Sequence, residues 1–132
     1  MPNDPVQKTR EALVRVINGS ALVQAVTGRT TRNIVEWEPE ATVVRPVVAY
    51  QFIDGPQLAT DGDTRSMLFQ ISASADTDAQ ANELLYAVEN SLTQSAFLAL
   101  PVPLDAFVER SIRRGFDLDV TLRVSVPVSI AA

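Results

Sequence analysis

The sequence predicts an α+β fold in which an antiparallel sheet of about four strands carries helices on one face, in the order α-α-β-β-α-β-β. Two patterns and one pairing lead there. Phe116 to Val126 alternates apolar and polar residues with period two, as a strand buried on one side does. Ala81, Leu84, Leu85, Val88 and Leu92 recur at helical spacing. Two stretches, 47–75 and 104–126, each read as a pair of strands joined by a turn, so neighbouring strands run antiparallel. With 132 residues, 46% of them hydrophobic, the chain has the size of one domain spanning residues 1–132 and enough apolar surface for one core.

The first helix is expected to start at Asp4-Pro5, a capping residue followed by proline at a position where its missing N–H costs nothing. Val6, Leu13, Val14 and Ile17 form its apolar face, and Asn18-Gly19 ends it. Ser20 can cap a short second helix through Leu22, Val23 and Val26, stopped by Gly28. From Arg29 to Arg45 no period holds, and the segment reads as an extended arm or irregular strand. Val47 to Ile53 is β-branched and aromatic and stops at Asp54-Gly55-Pro56. Arg65 to Ala75 alternates, with Met67, Phe69, Ile71 and Ala73 on one face, which makes a hairpin with a loop from Asp54 to Thr64.

Thr77 with Gln80 fits a capping box, and Asp78 places a negative charge in the first turn, where the helix dipole favours it. The helix that follows is expected to end at Leu100-Pro-Val-Pro103. Leu104 to Ile112 and Phe116 to Val126 then form the second hairpin around a three-residue loop, Arg113-Arg114-Gly115. This register pairs Ile112 with Phe116, Val108 with Val120 and Ala106 with Leu122 on the apolar face, leaving Arg110 opposite Leu118 as a misfit. On the other face it sets Asp105 against Arg123 and Glu109 against Asp119, with Asp117 nearby, so that face reads as polar and acidic.

Composition excludes several kinds of chemistry. The chain has neither histidine nor cysteine, so imidazole bases, thiol nucleophiles and nitrogen or sulfur ligands for zinc are absent. No apolar run approaches the ~20 residues that span a bilayer, and the first residues lack the pattern of a secretory signal. A net charge of −5 argues against a nonspecific grip on phosphate backbones. An acidic surface also suits a protein past which a polyanion must slide. No glycine-rich phosphate loop or nucleophile elbow occurs, and no cofactor is expected.

The remaining candidates are surfaces. Asp54, Asp61 and Asp63 share a loop where carboxylates could hold calcium, but Ser72 stands where the bidentate glutamate of a calcium loop would be required, and solvated turn residues are the simpler reading. Glu109, Asp117 and Asp119 could be read as an acid/base pair, but no sugar-stacking aromatic accompanies them, and a solvent-facing or channel-facing strand explains them more simply. Arg110, Arg113 and Arg114 form the only basic cluster; a phosphate contact competes there with the simpler reading of a soluble hairpin tip, and docking of an acidic partner would use the same residues. Trp37, between Glu36 and Glu38, suits either a subunit contact or a local core contact. The candidate interface residues are thus Trp37, Asp54, Asp61, Asp63, Arg113 and Arg114, and the candidate channel-facing ones Glu109, Asp117 and Asp119. Val126 to Ala132 is an apolar tail suited to packing on a partner.

Several stretches in this order carry a family likeness: the N-terminal helices running into Val26-Thr-Gly-Arg29, the strand Pro46-Val-Val-Ala-Tyr50, Phe69-Gln-Ile-Ser-Ala-Ser74 followed by Ala81-Asn-Glu-Leu-Leu-Tyr-Ala-Val88, and the closing Val120-Thr-Leu-Arg-Val-Ser-Val126. The chain resembles the tail-terminator family of long-tailed bacteriophages, also called tail-completion or head-to-tail joining proteins. The likeness covers nearly the whole chain in pattern, size and element order, without an invariant chemical motif. It implies a virion protein at the head-proximal end of the tail, assembled in the host cytoplasm as a hexameric ring. Such a ring caps the tail tube, ends its polymerisation and meets the head-completion or connector protein, with DNA passing through the lumen unbound. It implies no catalytic residue, cofactor or membrane contact. Two other readings stand beside it: a small α+β ligand-binding or regulatory module, and another phage neck or tail-tube subunit.

Overall fold

The computed structural model describes residues 5–38, 44–54 and 64–125. Four helices and five strands follow in the order α1 (Pro5–Gly19), α2 (Ala21–Thr27), β1 (Ile34–Glu36), β2 (Val47–Asp54), β3 (Thr64–Ser74), α3 (Asp78–Ser91), α4 (Gln94–Leu98), β4 (Ala106–Arg114) and β5 (Asp117–Ser125). All strands join one sheet in the order β1-β2-β3-β5-β4. The α+β class is as expected; the sheet has one strand more and is mixed, because β1 runs parallel to β2 while every other pair is antiparallel.

Side-chain alternation explains how the layers form. Met67, Phe69 and Ile71 of β3 and Leu118, Val120, Leu122 and Val124 of β5 are buried on one side of the sheet. Leu13 and Ile17 of α1, Leu84, Leu85 and Val88 of α3 and Phe97 of α4 close over them. Phe69 lies at the centre, its ring edge-on to Phe52 with centroids 5.4 Å apart. The opposite face of the sheet carries Ser66, Gln70 and Ser72 from β3 and Asp117, Asp119, Thr121 and Arg123 from β5, alternating with the buried set. The two periodicities read from the sequence, 3.6 and 2, therefore meet in a single core.

The helix ends obey local chemistry. The Ser20 hydroxyl accepts from the Val23 N–H and starts α2, and Gly28 ends it in the left-handed conformation at φ 74°. The Thr77 hydroxyl accepts from the Gln80 N–H at the start of α3. The expected single helix up to Leu100 is in fact two: α3 stops at Leu92, and Thr93 caps α4 by accepting from the Ala96 N–H. The apolar stripe runs on through the break because Leu92 and Phe97 are both buried, so periodicity alone does not show it.

The arm expected from Arg29 to Arg45 contains β1, held by side chains that no period reveals. The Arg29 guanidinium donates to the carbonyl of Pro46, with longer contacts to those of Arg32 and Val44. Asn33 is wholly buried. Its N–H donates to Asn18 Oδ1 at 2.8 Å, its Nδ2 to the Arg29 carbonyl at 3.0 Å, and its carbonyl accepts from Val48 N–H at 3.0 Å. The end of α1 is thereby tied to the first residues of the sheet's edge.

The second hairpin differs from the sequence reading in its register. Its turn has two residues, Gly115 and Phe116, with Arg114 opposite Asp117 and Gly115 at φ 60°, as a two-residue hairpin prefers. A bulge between Val108 and Arg110 places Glu109 out of register. Ile112 therefore faces Asp119, and neither the expected Ile112–Phe116 pair nor the Glu109–Asp119 opposition forms. Arg110 lies opposite Thr121 on the helix-free face, so the bulge removes the misfit with Leu118. An extra residue inverts the in-out alternation beyond it.

Candidate assembly surfaces

Beyond the bulge, β4 offers its side chains to both faces of the sheet. On the helix side, the Ser111 hydroxyl donates to Glu89 at 2.8 Å, and Arg113 donates to Asn82 Oδ1 at 2.9 Å; both acceptors belong to α3. On the helix-free side, Arg114 approaches Asp119 at 3.6 Å. The candidate pair Arg113 and Arg114 is therefore split across the sheet, though both remain exposed at the hairpin end.

The candidate carboxylates all lie on the helix-free face, but that face is not acidic. Glu109 accepts from Ser66 at 3.0 Å and pairs with Arg123 at 3.2 Å. Asp117 accepts from the Ser72 hydroxyl at 2.7 Å, and Asp119 faces Arg114. Arg110 adds a further positive charge, so three arginines offset three carboxylates. The acidic face expected from the sequence depended on a register that the bulge changes. Exposed ion pairs of this kind contribute little to stability; their effect is to leave a polar surface without strong net potential.

At the far edge of the sheet, Trp37 directly follows β1 and its N–H donates to the Tyr50 carbonyl at 2.8 Å. Its side chain is 47% exposed, which removes the local core reading. Glu36 and Glu38 on either side are exposed too. Glu36 lies opposite Tyr50, whose hydroxyl is pushed above its usual pKa by burial, then by the Glu36 charge, against the opposing effect of Arg10. Arg10 stacks over Phe52 with its guanidinium carbon 5.7 Å from the ring centroid. The backbone of Asp54 ends β2 opposite Leu68, after a second irregularity in register. Asp61 and Asp63, together with the apolar tail, lie outside the described residues.

Sequence reasoning missed Phe107 and Ile112. The period-two reading put Ile112 in the core, whereas it lies half-buried on the helix-free side of β4, the side that also carries the exposed Phe107. Only the bulge reveals this, and no residue type at Glu109 signals one. Among the described residues no group of three or more acidic side chains could hold a metal ion, and no helix is long and apolar enough to cross a membrane.

One helical layer on one sheet, with two sheet edges that no described strand covers and exposed aromatic and charged residues along them, defines a small α+β interaction domain. The chain belongs to the family of the tail completion protein gp17, whose family model matches residues 11–130. It is thus a structural protein of the bacteriophage tail, and structural virion proteins of this kind are typically not enzymes. In fold it is similar to a chain in the solved virion of a native gene transfer agent particle, with a TM-score of 0.56 at 16% identity, covering 86% of this chain and 90% of that one. No curated protein matches its sequence.

Proposed function

We propose that this protein forms a hexameric ring that caps the finished tail tube, ends its polymerisation and presents the docking surface for the head-completion or connector protein at the head-proximal end of the tail. The observation that carries the reading is the family match across residues 11–130. The two distinct sheet edges, uncovered among the described residues, support it, since a cyclic ring needs heterologous contacts in which one patch meets a different patch on the neighbour.

The helix-free face, with Glu109, Asp117 and Asp119, borders the DNA channel in this reading. Its carboxylates alternate with Arg110, Arg114 and Arg123, so DNA meets neither a concentrated positive patch that would hold it nor a strong barrier. Asp54, Asp61, Asp63 and the apolar tail are the candidate contacts with the tube or the connector. Assembly takes place in the host cytoplasm before the head is joined.

Light scattering behind a sizing column, over a range of concentrations and followed by negative-stain imaging, tests this. A discrete hexamer that images as a ring is expected, alone or on added tail tubes. Open-ended tubes of this chain alone would make it a tube subunit, and a strict dimer with a ligand-sized cavity would make it a binding module. A ring with Glu109, Asp117 and Asp119 on its outer rim would refute the channel assignment.

A further inference from the structure

The two edges of the sheet differ in charge and in length. One edge is β4, nine residues long and bearing Arg110, Arg113 and Arg114. The other is β1, three residues long and followed by Trp37 and Glu38, with Glu36 and Glu38 exposed. Arg110 makes no hydrogen bond or ion pair among the described residues, nor do Glu36 and Glu38. Among the described residues, one edge thus offers an arginine without a direct partner and the other two glutamates without one.

Strand direction fits the same pairing. β1 and β2 run one way, β3 the opposite way, β5 with β1 and β4 against it. A second copy that continues the sheet in the same orientation sets its β1 antiparallel to this copy's β4. That is the more stable of the two pairing modes.

The faces also agree. When a sheet continues between copies, helix side meets helix side and helix-free side meets helix-free side. On the helix side the β4 edge presents Arg113, and the β1 edge presents Glu36, which shares the side of Tyr50. On the helix-free side β4 presents Phe107, Arg110 and Ile112, and the β1 edge presents Val35 and Trp37. Trp37 at 47% and Phe107 at 43% are large apolar groups left in water by the isolated chain. Tryptophan with an arginine over its face is a favoured contact, and aromatic groups with arginine are the usual anchors of interfaces.

We propose that β4 of one copy pairs with the β1 edge of the next with Ile112 beside Val35, so that Trp37 lies between Arg110 and Phe107 on the helix-free side while Arg113 reaches diagonally to Glu36 on the helix side. The bulge at Glu109 and the shortness of β1 limit the ladder to a few residues, which keeps either edge from open-ended pairing with unrelated strands. The pairing rests on the ring reading and names the subunit contact within it.

Charge reversal tests it. Glu36→Arg and Arg113→Glu, each placing like charges across the contact, should raise the concentration for half-assembly by about tenfold or more, and the double variant should restore assembly to within about threefold of the unaltered chain. The measurement is light scattering of the purified protein, alone and with assembled tail tubes, with circular dichroism confirming that each variant folds. In a second measurement, Val35→Cys and Ile112→Cys chains are mixed and oxidised. The native chain has no cysteine, so every disulfide reports the contact; cross-linked dimers should form in the mixture well above the level in either variant alone. An unaltered chain that forms rings while the reversed variants assemble as well as it does, with no cross-link, would overturn the edge pairing and leave the ring reading standing. An unaltered chain that multimerises neither alone nor on tubes would overturn both.

Discussion

Replacing Asn18 with alanine isolates the contact that ties the helical layer to the sheet's edge. Asn18 Oδ1 is the acceptor, at 2.8 Å, for the N–H of the fully buried Asn33. Asn18→Ala leaves that N–H in the interior without a partner, which costs about 1–3 kcal/mol. Alanine in the last turn of α1 returns about 0.5 kcal/mol through its better helix propensity, so a net loss of about 1.5 kcal/mol is expected. With a urea dependence of about 1–3 kcal/mol per molar for a domain of this size, the unfolding midpoint should fall by roughly 1 M. Hydrogen exchange gives the local readout. The Asn33 amide should lose protection, and so should that of Val48, which donates to the Asn33 carbonyl. Asn18→Asp keeps the acceptor oxygen. It should preserve protection of the Asn33 amide even though its charge at a helix C-terminus lowers stability by a few tenths of a kcal/mol. An alanine variant with an unmoved midpoint and native exchange at Asn33 would refute the reasoning.

Other perturbations address the core, a cap and a titrating group. Phe69→Ala empties the centre of the sheet, where Phe69 is wholly buried against Tyr50 and Phe52, and should cost about 3–5 kcal/mol in urea unfolding. Gly28→Ala meets no atom within 4 Å of the new Cβ, so its only penalty is the left-handed backbone at φ 74°, about 1 kcal/mol; a loss of 3 kcal/mol would contradict this. Tyr50 titrates above the ordinary tyrosine value because of burial and then Glu36, with Arg10 opposing. The unfolded chain therefore releases this proton first, and stability that is fully present below the unfolded pKa of about 10 falls as pH rises through it. Absorbance titration should show a late phenolate component that Tyr50→Phe removes, together with part of the alkaline loss of stability.

What the sequence made legible was whatever a period or a cap encodes. The strand holding Leu118, Val120, Leu122 and Val124, the helix stripe from Ala81 to Leu92, and the caps at Ser20, Gly28 and Thr77 all stand where expected. The features that set the surfaces were not legible, because they depend on contacts remote in sequence. β1 exists because Asn18, Arg29 and Asn33 hold an aperiodic segment against β2. The bulge at Glu109 reverses the facing of every later residue of β4, moving Ile112 to the helix-free side, where it is half-buried, and turning Arg113 toward α3. The residue types around Trp37 leave a subunit contact and a local core contact equally open, and only its 47% exposure in the fold decides against the core.

The central claim is that the chain stops a growing tube, and the most direct test is to assemble tail tubes from their subunit with and without it. Labelled chain added at limiting amounts should appear in electron micrographs at one end of each tube, and tubes bearing it should stop lengthening when more subunit is supplied. Label distributed along the tube wall, or labelled tubes that keep growing at the rate of bare ones, would contradict the claim.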